Sequence, residues 1–279
     1  MFNNDFFRDP ENALVRPYND TLIIDSHGSK IYARIHIPAF YDETSRCPVV
    51  LMLHGYPGNE KNIDIAQNLR MAGYATVTFS YRGVWGSHGE YTFAHLIEDT
   101  LVVAQHIRDN AEEFRFDTGR FYVLGHSMGG FAAVNSLAAG LEVSGAILMA
   151  PCNMAYKYLY EYEAFYKLME SQKGGYFNTP SDTYLEEEVQ EHAQQWLFEN
   201  AADKLDLTIP YGFIGGKLDG LTPPEKHARP LYEILVSRGA DAKYTELDDG
   251  HDFPASRVAL TNQIIFYLRE MEKKQDEKH

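Results

Sequence analysis

Residues 120–131, Arg-Phe-Tyr-Val-Leu-Gly-His-Ser-Met-Gly-Gly-Phe, constrain this chain more than any other stretch. An apolar run from Phe121 to Leu124 stops at Gly125. His126, Ser127, Met128, Gly129 and Gly130 follow, and a small-residue segment with helical character then runs to about Ala139. A G-x-S-x-G placed between a strand pattern and a helix pattern predicts a tight strand–turn–helix. Glycines two before and two after the serine let strand and helix pass close together while the serine backbone is strained. The turn pushes the hydroxyl out at the carboxyl end of the strand. It lies beside the first N–H groups of the helix, donors that suit a developing oxyanion.

The rest of the chain alternates around this turn. Thr21–Asp25 and Lys30–Ile37 read as a hairpin, with Ile31, Ala33, Ile35 and Ile37 on one face. Val49–Leu53 is a continuous apolar run of the buried parallel kind, ending in His54-Gly55-Tyr56-Pro57-Gly58. A helix pattern over about Lys61–Ala72 precedes a strand at Tyr74–Phe79, a turn-rich loop at 80–89 and a long helix at Phe93–Asn110. After the serine turn come a strand at Val143–Met149, a strand at Ile209–Gly215, a helix at about Pro224–Ser237, a strand at Lys243–Leu247 and a last helix to about Lys273. The tail from Lys273 to His279 is charged and expected to fray.

Alternating β and α units imply an α/β fold: a mostly parallel sheet of about eight strands with helices on both faces. Residues 152–208 break the rhythm. They hold eleven acids against four bases and eleven aromatics, and read as two or more helices joined by Lys173-Gly174-Gly175. The expected organisation is a core of residues 1–151 and 209–279, with residues 152–208 inserted after the sixth strand.

A net charge of −15 argues against nucleic acid and anionic membrane as partners. No stretch approaches the ~18 apolar residues of a membrane span. Met1 to Pro10 lack a basic region followed by an apolar run, so no signal peptide is expected and a cytoplasmic location is the default. Cys47 and Cys152 stand apart from any C-x-x-C pair or ligand-spaced histidine, so free, buried thiols are expected. No H-E-x-x-H, no clustered His/Asp ligands and no nucleotide motif are legible, so neither metal nor cofactor is expected.

In an open α/β sheet, ligands bind beyond the carboxyl ends of the strands. A serine hydroxyl there needs a base to take its proton, and the base needs a third group to fix its tautomer. His251, after the last strand, is the candidate base, and Asp219, after the seventh, the candidate acid. Asp248 and Asp249 are too near His251 in sequence to reach its far nitrogen easily. Asp206 precedes its strand and so lies at the wrong end of the sheet. The backbone N–H groups of Tyr56 and Met128 are the candidate oxyanion donors. His126 is expected to shape the turn and His54 to brace its loop.

On these residues the chain resembles the α/β-hydrolases over roughly residues 20–272. His54-Gly55 is similar to the start of that family's oxyanion loop, and Gly125-His126-Ser127-Met128-Gly129-Gly130 is similar to its elbow. Tyr81-Arg82-Gly83, with Gly86, Ser87 and Gly89, is similar to the loop after the fourth strand of esterase and peptidase-like members. The chain order Ser, Asp, His is also the family's. The resemblance implies a serine hydrolase cleaving a small-molecule carboxylic ester through an acyl-enzyme, with feruloyl esterases and monoacylglycerol lipases similar in different parts. A peptidase, a thioesterase or a non-catalytic ligand-binding relative are the alternatives. Residues 152–208 would be a lid. Tyr156, Tyr160 and Trp196, with Trp85, would then be candidates to touch an apolar or aromatic substrate. The competing reading is that the lid aromatics build the lid's own small core.

Overall fold

The computed structural model describes residues 9–58, 61–171 and 175–277. Lys173 and Gly174 of the expected joint, and the two ends of the chain, lie outside them.

In chain order the elements are β1 (Tyr18–Ser26), β2 (Ser29–Ile37), β3 (Cys47–Leu53), α1 (Ile63–Met71), β4 (Ala75–Phe79), α2 (Phe93–Asp109), α3 (Ala111–Phe114), β5 (Phe116–His126) and α4 (Met128–Ala138). They continue with β6 (Gly145–Met149), α5 (Met154–Tyr160), α6 (Tyr162–Glu170), α7 (Tyr184–Trp196), α8 (Phe198–Ala201), β7 (Tyr211–Gly216), α9 (Pro224–His227), α10 (Arg229–Ser237), β8 (Ala242–Leu247) and α11 (Arg257–Asp276). One eight-stranded sheet runs β1-β2-β4-β3-β5-β6-β7-β8. The hairpin β1–β2 and the pair β2–β4 are antiparallel, and every later pair is parallel.

The central strands are apolar throughout because both of their faces are covered. In β3, Val49, Leu51 and Leu53 join one buried cluster while Val50 and Met52 join the other. Phe121 and Val123 of β5 alternate in the same way with Tyr122 and Leu124. The first cluster gathers residues of α2, α4, α8 and α10, and the second gathers Ile65 and Leu69 of α1 and Leu260, Ile264 and Leu268 of α11. Two layers of helix thus flank the sheet, as the alternating pattern demands.

Three expectations change. The helix read over 224–237 is two pieces, α9 and α10, because Pro230 has no N–H for the carbonyl four residues back. The tail helps build α11 as far as Asp276: Tyr122 Oη donates to Gln275 Oε1 at 2.9 Å, Gln275 Nε2 donates to Gly119 O at 3.1 Å, and Lys274 pairs with Asp241. In the hairpin, Tyr32, Arg34 and His36 alternate with the apolar residues and a half-buried strand is expected, yet His36 is as buried as its apolar neighbours, facing Thr76 of β4 with Nδ1 3.1 Å from Oγ1.

Between β6 and β7 the chain leaves the sheet and forms α5 to α8. Glu188 of α7 ties this segment to the rest, its carboxylate accepting from Phe93 N at 2.7 Å and Ala94 N at 3.0 Å. A carboxylate on the first free N–H groups of α2 satisfies donors the helix cannot, and suits its dipole. Cys47 and Cys152 are free and buried. Among the described residues no helix is long and apolar enough to cross a membrane.

Candidate active site

Because β3, β5, β6, β7 and β8 are parallel neighbours, the residues that follow them collect at one end of the sheet. Ser127 follows β5 with φ 56° and ψ −119°, a backbone that L-residues rarely adopt. The close crossing that needs glycine is direct: a Cβ on Gly125 would meet the Gly129 carbonyl, and one on Gly129 would meet the Leu53 carbonyl of β3. Ser127 N donates to Met149 O at 3.0 Å and Cys152 N donates to Ser127 O at 2.8 Å, so β6 and the chain beyond it hold the turn.

The structure brings the three candidate residues together. His251 Nε2 lies 2.8 Å from Ser127 Oγ, and His251 Nδ1 lies 2.8 Å from Asp219 Oδ2. Ser127 and Asp219 are 6% and 4% exposed, so the pair is desolvated, while the His251 side chain keeps 13%. Burial alone would raise the Asp219 carboxyl. Hydrogen bonds from His251 and Thr222 outweigh it and hold the group at about 2. An ionised carboxylate on Nδ1 leaves Nε2 as the acceptor that faces the serine, the geometry that can take a proton from Oγ.

Thr222 was not singled out from sequence. Its Oγ1 lies 2.7 Å from Asp219 Oδ2, 3.1 Å from His251 Nδ1 and 3.2 Å from Ala150 O. With Leu221, it also donates its N–H to Asp219 Oδ1, both at 2.8 Å. The signal was present as Asp219-Gly220-Leu221-Thr222, the spacing of a turn whose aspartate accepts from the backbone two and three residues on. The rejected acids are elsewhere. Asp206 Oδ1 accepts from Thr208 N ahead of β7, and Asp249 accepts from Gly250 N and Ala255 N, shaping the loop that carries His251.

His126 and His54 brace the site. His126 Nε2 lies 3.1 Å from the His251 carbonyl, and burial, with the neighbouring His251 charge, holds its imidazole down to about 4. His54 Nδ1 faces Gly55 O at 2.8 Å, its ring packs 4.6 Å from Tyr81, and burial and Lys61 push it down to about 3. Neutral imidazoles at both places leave His251 as the histidine on the serine. His126, His251 and Asp252 bring ligand-type atoms within 4.8 Å of one another, but two of those groups already serve the serine turn.

Gly55 is where the loop after β3 meets the serine. A Cβ there would lie 3.0 Å from Ser127 Cβ and 3.5 Å from Oγ. The N–H of Tyr56 follows on that loop, and the N–H of Met128 opens α4, where no residue precedes it in the helix to accept its hydrogen bond. The loop after β4 locks the same region from the other side. Arg82 Nε and N donate to the fully buried Asp99 at 2.6 and 2.7 Å, and Trp85 Nε1 donates to Pro57 O at 2.7 Å.

The four expected substrate-contacting aromatics lie in different settings. Trp196 is corrected outright: it is 2% exposed and wedged edge-on against Phe131 at 5.3 Å, next to Phe93, so it is packing. Trp85 stacks on Tyr176 at 4.7 Å. Tyr156 and Tyr160 pair with each other at 4.9 Å, with Tyr160 66% exposed. None of the four lines the cavity of about 200 Å³ that opens beside Tyr56. Its wall is made instead by Tyr56, Tyr166, Phe177 and residues at the start of α7.

Residues 50–262 match the sequence model of the "Alpha/beta hydrolase family". Over 112 residues the chain is 28% identical to liver carboxylesterase B-1 of Rattus norvegicus, a stretch covering 37% of this chain and 20% of that protein. The matched segment thus spans about a fifth of that relative's length. Among solved structures, the hyperthermophilic esterase of the archaeon Pyrobaculum calidifontis superposes with a TM-score of 0.68 at 20% identity, over 91% of this chain and 86% of that one. Est1E of Butyrivibrio proteoclasticus with ferulic acid bound superposes with a TM-score of 0.69 at 19% identity, over 90% and 99%.

Proposed function

The chain belongs to the alpha/beta hydrolase family, and from that premise we propose that it is a serine hydrolase of carboxylic esters. The observation that carries this reading is the unbroken chain of contacts Ser127 Oγ to His251 Nε2 and His251 Nδ1 to Asp219 Oδ2, each 2.8 Å.

Ser127 Oγ attacks the ester carbonyl as its proton passes to His251 Nε2. The imidazolium so formed is stabilised by the ionised Asp219. The carbonyl oxygen becomes an oxyanion, met by the N–H groups of Tyr56 and Met128. Collapse breaks the ester C–O bond. His251 returns its proton to the leaving alkoxide, the alcohol departs and the acyl group stays on Ser127. A water then gives its proton to His251 and attacks the acyl carbon, and the second collapse releases the acid with Ser127 reprotonated. Residues 152–208 serve as a lid over the serine, excluding water and selecting the substrate.

A fluorophosphonate probe and a panel of aryl and alkyl esters, a feruloyl ester included, test the reading. The wild-type chain is expected to be labelled and to turn over at least one ester. The absence of both, or equal labelling of Ser127→Ala, would overturn it.

A further inference from the structure

We propose that Trp85 is a positioning residue of the oxyanion hole. Its indole N–H, seated on the Pro57 carbonyl and clasped by Tyr176 of the inserted segment, sets where the Tyr56 N–H points. The segment between β6 and β7 then acts on the chemical step through the loop after β3. This rests on the serine-esterase reading above.

Trp85 has an unusual backbone for its residue type. Its φ is 51°, in the left-handed region that bulky L-residues rarely enter, and such a backbone persists only where the surroundings hold it. Ser80 Oγ donates to Trp85 O at 3.4 Å, Lys61 Nζ donates to Ser80 Oγ at 2.5 Å, and Ser87 N closes the turn on Val84 O at 3.1 Å. With its backbone so held, Trp85 lays its indole on the loop after β3. There Nε1 donates to Pro57 O at 2.7 Å, and a Cβ on Gly58 would lie 2.8 Å from the same nitrogen. Pro57 directly follows Tyr56. The proline ring locks one of the few torsions between its own carbonyl and the Tyr56 N–H, so an anchor on that carbonyl is passed on.

Three consecutive residues of the inserted segment fasten this arrangement. Tyr176 stacks on the Trp85 ring, with centroids 4.7 Å apart and 23° between the planes. Phe177 stacks on the Tyr56 ring at 4.8 Å with 8° between the planes. Asn178 N donates to Gly83 O at 2.8 Å, Asn178 Nδ2 donates to Gly89 O at 2.8 Å and Asn178 O accepts from Tyr91 N at 2.7 Å, so the loop after β4 is held on both sides of Trp85. Two adjacent rings thus grip the two side chains that fix the Tyr56 backbone: its own ring and the indole beside it. Core packing does not account for Tyr176, which is 65% exposed. An oxyanion donor works only within ~3 Å of where the charge develops, and a misplacement of about 1 Å can cost ~100-fold in rate.

The test reads kcat and KM on p-nitrophenyl acetate and p-nitrophenyl octanoate. It also reads the inhibition constant of a hexyl trifluoromethyl ketone, whose adduct with Ser127 places an oxyanion in the hole. Trp85→Phe keeps a ring for Tyr176 and removes the N–H. The expected result is a kcat about tenfold lower on both esters with KM within about twofold, and inhibition weakened by a like factor. Tyr176→Leu should lower kcat in the same direction. The double variant should lose no more than Trp85→Phe alone, because both act through one hydrogen bond. Circular dichroism and the urea midpoint follow the fold. A wild-type kcat in either single variant overturns the proposal. A loss confined to KM and different for the two esters also overturns it, since that marks a substrate contact. If Trp85→Phe does not fold, Tyr176→Leu decides alone by the same readouts. Each of these failures occurs with the wild type turning over ester, and so leaves the esterase reading standing. No turnover and no fluorophosphonate label in the wild type would overturn that reading, and this one with it.

Discussion

In the proposed reaction Ser127, His251 and Asp219 divide the work between attack, proton transfer and charge, and each contribution can be removed separately. Ser127→Ala should lower kcat by about 10⁴- to 10⁶-fold with the fold intact, measured on any ester the wild type turns over. Asp219→Asn keeps the shape but offers the imidazole the wrong tautomer, and a loss of about 10⁴-fold in kcat is expected. Asp206→Asn, ahead of β7, should leave kcat at the wild-type level; a loss equal to that of Asp219→Asn would reassign the acid. Thr222 is a positioning residue, acting through Asp219. Thr222→Val should cost about 3- to 10-fold in kcat. Thr222→Ser, which keeps the hydroxyl that reaches Asp219 Oδ2 and His251 Nδ1, should restore the rate, which a merely structural defect at this position would not allow.

At the scale of elements, the loops that bear these residues are fastened to one another rather than to solvent. Lys157 of α5 is 1% exposed. Its Nζ donates to Leu221 O at 2.7 Å and to Glu161 Oε2 at 3.2 Å, with Lys226 of α9 on the other Glu161 oxygen at 2.7 Å. Leu221 belongs to the turn whose N–H groups hold Asp219, so residues 152–208 and the candidate acid share one ionic network. Removing a charged hydrogen-bond donor costs about 1.5–3 kcal/mol. Lys157→Met should show that loss in urea unfolding together with a lower kcat, whereas Lys167→Met, whose ion pair with Glu163 is exposed, should change neither. The aromatic richness of the inserted segment has the same double character. Trp196 and Phe165 are packing, while Phe177 faces a cavity, and apolar residue type does not separate the two.

At the scale of the whole molecule, four histidines among the described residues are buried in neutral form. Burial holds His36, His126 and His227 at about 4 and His54 at about 3. In the unfolded chain each titrates near 6.5. Between those values the unfolded state binds protons that the folded state does not, so stability rises with pH there and falls as the solution is acidified from about 6.5 to about 4. The urea midpoint should drop across that window, and His36→Asn should flatten the drop by one histidine's share. A midpoint that stays level from pH 6.5 to 4 would contradict the buried neutral state.

Periodicity and glycine placement settled much of the molecule beforehand. The alternation of β1–β2, the two-sided apolar runs of β3, β5 and β6, and the G-x-S-x-G turn are local patterns, and local patterns survive in the sequence because each residue's face is set by its own neighbours. Ser127, His251 and Asp219 could be nominated from their places after strand ends, because parallel strands send such residues to one edge. The Arg82–Asp99 lock and the Lys157 network could not, since each joins residues distant in sequence, and of Thr222 only the backbone turn with Asp219 was legible, not the rotamer that carries its hydroxyl to His251. The strand order, with β4 outside β3, was likewise a matter of which faces found each other. Ser127 was thus determined as a nucleophile candidate by its turn alone. Which aromatic rings would line the cavity at Tyr56, Phe177 and not Trp196, was decided only when the segment between β6 and β7 packed against the loops of the sheet.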